Sequence, residues 1–184
     1  MKLRSTGAVV LAAAILTAAC GQATPLTRGG GPLPTRALPA KIAANGPCVL
    51  VGGRAAPTPG ESQTPLEVGS DPLFAVVLWV PGLNARPCRA ALTRLDEAEA
   101  GALADAINAA PVFPHGTIAC PADDGGAADV YLAYDGGASV ARVWISLAGC
   151  HPVTAQDRWP RKLDASIVRA LRAGAPRPWQ RYLR

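Results

Sequence analysis

Seven residues carry the thiol and imidazole groups of this chain: Cys20, Cys48, Cys88, Cys120, Cys150, His115 and His151. Catalysis by any of them requires a nucleophile or an acid–base pair held within reach of a partner. Neither histidine stands in a pattern that provides this. Gly-x-Ser-x-Gly, His-Glu-x-x-His and Ser-x-x-Lys do not occur, nor does a Gly-x-Gly-x-x-Gly or other phosphate-binding loop. His115, Cys120, Cys150 and His151 would give zinc two nitrogens and two sulfurs, but without the tight Cys-x-x-Cys spacing of structural zinc sites. Asp123, Asp124 and Asp129 offer oxygens to calcium. The Asp-Asp-Gly-Gly run lacks the alternating ligands and final Glu of a calcium loop, so it reads as a solvated turn. The expectation is no catalytic residue, no metal and no cofactor.

The cysteine count points to a compartment instead. Five is odd, and an odd cysteine in an exported chain needs its own explanation. Met1-Lys2-Leu3-Arg4 is positively charged, and the uncharged apolar stretch from Gly7 to Ala19 is shorter than the about 20 residues that span a bilayer. These are the marks of an export signal. Its end, Leu16-Thr17-Ala18-Ala19-Cys20, resembles a bacterial lipobox, with Thr17 where Leu, Val or Ile is usual. The resemblance implies that Cys20 becomes the first residue after cleavage and carries a diacylglyceryl group in the membrane. Cys48, Cys88, Cys120 and Cys150 then remain, an even set that reads as two disulfides in an oxidising compartment. Three pairings are open. We favour Cys120 with Cys150 and Cys48 with Cys88.

Charge is unevenly distributed. The formal net charge is +5 over 184 residues, yet residues 21–153 hold eight basic and eleven acidic groups, against eight basic and two acidic in 154–184. Arg158, Arg161, Lys162, Arg177 and Arg181, with Trp179, are therefore candidate contacts to an anionic membrane or other polyanion. A nucleic-acid partner does not suit an exported chain.

The elements that would position these groups follow from pattern. Residues 1–19 read as the signal peptide and 20–46, rich in Pro and Gly, as a lipid-anchored disordered linker reaching roughly 30 Å. Residues 47–174 form a single domain, and 175–184 a basic tail. Pro47–Val51 suits a short edge strand and Gly52–Ser70 a loop. Leu73–Val80 is a continuous apolar run, read as a central strand buried on both faces. Leu95–Ala110 has a capping box in Asp96 and Glu99 and a narrow apolar stripe, hence a helix. A second helix spans Asp164–Ala173, with Leu163, Ile167, Val168 and Leu171 inward and Gly174 as its stop.

Cys120 to Cys150 reads as a β-hairpin. Val130, Leu132 and Tyr134 alternate on one strand, and Val143, Ile145 and Leu147 on the other. Parity requires an even loop if both sets are to share a face, and Asp135-Gly136 suits a two-residue type I′ turn. That register pairs Tyr134 with Gly137 and brings Cys120 beside His151. A disulfide there would contribute roughly 3–4 kcal/mol. The fold class expected is α+β: a small antiparallel sheet with two helices packed on one face, stapled by disulfides, behind a disordered tether.

This layout, with Cys88-Arg89, an Ala/Leu-rich helix, Cys-Pro-x-Asp-Asp-Gly, a hairpin and Leu-x-Gly-Cys, resembles uncharacterised lipoproteins of high-GC Gram-positive (actinobacterial) bacteria. The likeness covers about residues 70–155 and implies a place on the extracytoplasmic face of the cell membrane, without an activity. The function expected is a non-enzymatic binding or interaction module whose partner, an envelope ligand or protein, is unnamed by the sequence. Two alternatives stand. Cys120-Pro121 opening a disulfide loop resembles the bacterial subtilisin-inhibitor family, which implies a secreted inhibitor; Asp123-Asp124 departs from its reactive-loop residues. An envelope hydrolase is the other, and it lacks a motif.

Overall fold

Phe74–Val80 alternates apolar side chains toward two faces, and every residue after Phe74 is buried, as in a strand covered on both faces. The computed structural model describes residues 64–82, 90–116, 118–122, 125–156 and 158–184. Cys20, the linker, the strand expected at 47–51, Cys48, Cys88 and the Asp123-Asp124 turn lie outside the described residues.

The fold is α+β. Strands β1 (Phe74–Val80), β2 (Ala91–Leu95), β3 (Ala127–Tyr134), β4 (Ser139–Ser146), β5 (Pro152–Thr154) and β6 (Arg161–Lys162) form one antiparallel sheet in the order β2-β1-β3-β4-β5-β6. The run chosen as central is therefore one place in from an edge, and β3 and β4 occupy the middle. β2, β5 and β6 were not foreseen. They are short, and β2 alternates exposed and half-buried positions around Thr93 and Arg94, which gives little apolar signal.

Helix α1 (Glu97–Ala109) begins where expected. Asp96 accepts from the Glu99 amide at 2.9 Å and Glu99 returns the bond to the Asp96 amide at 3.1 Å, satisfying two amides that the first turn leaves without helical partners. It lays Ala100, Leu103, Ala104 and Ile107 on the sheet. Helix α2 (Ala165–Gly174) is capped by Asp164, which accepts from the Ser166 and Ile167 amides. Burial pushes the Asp164 carboxyl up, but those bonds, the Ser166 hydroxyl and nearby Arg169 outweigh it and hold it below its ordinary value.

The hairpin keeps its predicted parity with a different register. Tyr134 pairs with Ser139, Leu132 with Ala141 and Val130 with Val143. The loop is four residues, 135–138, rather than two. Asp135 and Gly136 do take the positive φ that a type I′ turn needs, at 48° and 69°, but Gly137 is left-handed too at 91°, so the strand cannot resume there. Ser139 Oγ donates to Asp135 at 2.7 Å and closes the loop. A shift of two leaves side chains on the same face. Val130, Leu132, Val143, Ile145 and Leu147 therefore still share the core, with Tyr134 packed against it.

The segment 175–184 is not a free tail. It turns through α3 (Arg177–Gln180) and a 3-10 turn, Arg181–Leu183, and buries Trp179 and Leu183. Trp179 lies 6.3 Å from Trp79, ring to ring. Leu66 and Val68, in a stretch read as loop, are buried as well. Asn108 holds Val68, donating to its carbonyl and accepting from its amide, both at 2.9 Å, and Leu66 is held by its amide's bond to the Trp159 carbonyl at 2.8 Å.

Candidate functional site

One surface gathers charge of a single sign. Residues 165–184 contain Arg169, Arg172, Arg177, Arg181 and Arg184 and no acidic residue, and all five arginines are exposed. Helical spacing produces this. Ile167 and Leu171 point into the core, and Arg169 and Arg172 fall on the outward side of α2. The C-terminal turn repeats the division, with Trp179 and Leu183 inward and Arg177, Arg181 and Arg184 outward. Arg172 donates to the Leu183 carbonyl, which ties the turn to α2.

The structure divides the contact residues expected from sequence. Arg177 and Arg181 belong to this surface. Trp179 does not: it is 4% exposed, and its place in the core withdraws it from any membrane contact. Arg161 is also withdrawn, because its guanidinium donates to the Leu66 and Ala110 carbonyls; burial lowers its pKa, partly offset by Glu67. Lys162 is exposed on the edge strand β6, and Arg158 is half-buried nearby. Arg169, Arg172 and Arg184 were missed as site residues, although the sequence signal was available: arginines spaced opposite the apolar positions of α2.

A second cluster lies on the face of the sheet away from the helices. Asp129, fully buried, accepts from Arg142 Nε at 2.7 Å and from the second guanidinium nitrogen at 3.2 Å, and from the Tyr131 hydroxyl at 2.9 Å. Register explains the meeting. Tyr131 pairs with Arg142 and Asp129 with Trp144, so Asp129 and Arg142 are diagonal neighbours across adjacent strands. Burial opposes the charge on Arg142, but the bonds and charge of Asp129 outweigh it and raise its pKa. With its oxygens taken by these donors, Asp129 is a poor calcium ligand. Its role is structural: a buried carboxylate is tolerable only when paired and hydrogen-bonded.

The remaining candidates are spread out. Cys120 and Cys150 form a disulfide with Cα atoms 4.9 Å apart, which removes both sulfurs from a zinc site. His115 stacks on Trp159 at 4.1 Å, and Trp159 Nε1 donates to the Phe113 carbonyl at 2.8 Å. His151 follows the disulfide with φ 56°, and its carbonyl accepts from Leu163 at 2.9 Å. Among the described residues no three His, Cys, Asp or Glu side chains converge as a metal site. No family model, no curated protein and no solved structure matches the chain.

Proposed function

We propose that this chain is an exported, lipid-anchored cell-envelope protein that binds rather than catalyses, and that the arginine side of α2 and the C-terminal turn is its contact with an anionic lipid surface. The observation that carries the reading is that residues 165–184 bury Ile167, Leu171, Trp179 and Leu183 and expose five arginines, with no acidic side chain among them. Each basic residue near an anionic membrane contributes about 1 kcal/mol. A diacylglyceryl group on Cys20 would supply the membrane attachment and hold the arginines close to that surface, where these small terms add. No described helix is long and apolar enough to cross a membrane.

The reading is tested on residues 21–184 without lipid, by co-sedimentation with phosphatidylglycerol or phosphatidylcholine vesicles. Binding to the anionic vesicles alone is expected. Arg169→Gln, Arg177→Gln and Arg181→Gln together should weaken it roughly a hundredfold, three terms of about 1 kcal/mol. Equal binding to both vesicles, or no effect of the triple variant, contradicts the assignment. Anchoring is checked separately: intact mass of membrane-extracted protein should show a chain beginning at Cys20 with a diacylglyceryl group.

A further inference from the structure

The Cys120–Cys150 bond stands apart from the core. Neither cysteine belongs to an apolar cluster, and Cys120 is exposed while Cys150 is half-buried. Disulfides that hold a fold together resist reduction, whereas exposed ones are the labile, regulatory or catalytic ones. The two sulfurs also stand on different kinds of backbone. Cys150 sits in a turn held on both sides: the Leu147 amide donates to the Gly126 carbonyl at 2.8 Å, and the Leu163 amide to the His151 carbonyl at 2.9 Å. Before Cys120 the chain is fastened at Phe113, whose amide donates to the Pro160 carbonyl at 2.9 Å. Beyond it, Gly116, Ile118, Ala119, Cys120, Pro121 and Ala122 are all exposed. Among these described residues the sulfur bridge is the one bond to another segment.

We propose that Cys120–Cys150 is a thiol–disulfide exchange site, opened by a dithiol in the folded protein, and that it fastens and releases the loop around Cys120. One thiolate of the dithiol attacks Cys120 Sγ, the sulfur on the exposed loop. The Cys120–Cys150 bond breaks as a new S–S bond joins Cys120 to the reductant. Cys150 leaves with the electron pair and takes a proton from water. The second thiol of the reductant then displaces Cys120, which also ends as a thiol, and the reductant becomes its own disulfide. Two electrons and two protons have passed from the dithiol to the cystine. The core outlasts the exchange because neither sulfur is part of it. The device operates whatever the arginines bind.

The test treats the oxidised chain of residues 21–184 with dithiothreitol in native buffer. Differential alkylation and peptide mass mapping read Cys120 and Cys150 apart from Cys48 and Cys88. Loss of the Cys120–Cys150 link should be first order in dithiothreitol, without a plateau, and indifferent to urea below the unfolding transition, because no unfolding precedes attack. A rate that levels off with dithiothreitol, or climbs with urea, means that the bond opens only in the unfolded chain and overturns the proposal. With glutathione, a monothiol, the trapped mixed disulfide should map to Cys120; trapping at Cys150 instead reverses the assignment of the attacked sulfur. The double variant Cys120→Ser, Cys150→Ser opens this link alone. It should keep the far-ultraviolet circular dichroism of the parent and be nicked by proteinase K between Ile118 and Ala122 about tenfold faster. Equal nicking, or loss of the folded signal, shows that the bond does not serve to fasten this loop.

Discussion

On the helix side of the sheet, the fully buried residues of β1, β3 and β4 are all apolar, from Ala75, Val77 and Trp79 to Val143 and Ile145. On the other side, Asp129 and Arg142 stand among Val76, Tyr131 and Val140. Both faces come from the same strands, one residue out of step. The first is held by fit between shapes, and the second needs a charge balanced inside an apolar field. The difference also bears on function. The segments that close the helix side carry their arginines on the outside, so its core and the proposed contact surface belong to the same segments.

The largest effect should come from emptying the helix side. Trp79 is fully buried, donates from its indole to Thr93 Oγ1 at 2.8 Å and packs toward Trp179. Trp79→Ala should cost about 3–5 kcal/mol in urea unfolding. On the opposite face, the response should depend on which partner is removed. Arg142→Leu takes the cation from a carboxylate with no access to water and should cost about 2–3 kcal/mol, below the fully buried case because the Arg142 side chain is 38% exposed. Asp129→Asn leaves a guanidinium that can turn outward and should cost about 1 kcal/mol. Equal losses from the two would remove the asymmetry. Next comes Gly174, where an added Cβ would sit 2.4 Å from Leu95 Cδ2. Leu95 is fully buried, so Gly174→Ala should cost about 1–2 kcal/mol in thermal unfolding.

Much of this was legible in the sequence, for physical reasons. The capping box of α1, the Asp164 cap and the Cys120–Cys150 staple depend on local chemistry and on a periodicity of 3.6 or 2. Hairpin parity survived the shift in register because only an odd slip exchanges faces. What stayed hidden depends on contacts distant in sequence. Trp179 reads as an exposed aromatic in a basic tail until Trp79 is placed beside it. Leu66 and Val68 read as loop until Trp159 and Asn108, the latter forty residues on from Val68, supply the bonds a strand would have given. The Asp129–Arg142 pair requires the register itself.

The smallest effect is a titration. Burial first, and the charge of Asp71 second, push the Tyr134 phenol from 10.0 up to about 12, while its hydroxyl donates to the Gly69 carbonyl at 2.9 Å. A raised pKa in the folded state means that this group's stability is intact below pH 10 and is lost as the pH rises from 10 toward 12. Ultraviolet titration of tyrosinate should show a component near 12 that is lost in Tyr134→Phe. If the two chains titrate alike, that environment is misassigned.

Salt decides whether the helix side, as proposed, presents its arginines to an anionic surface. Affinity of the mature chain for phosphatidylglycerol vesicles should fall steadily as ionic strength rises and the Debye length shrinks from about 30 Å at 0.01 M to about 8 Å at 0.15 M. Affinity that does not change across that range would contradict it.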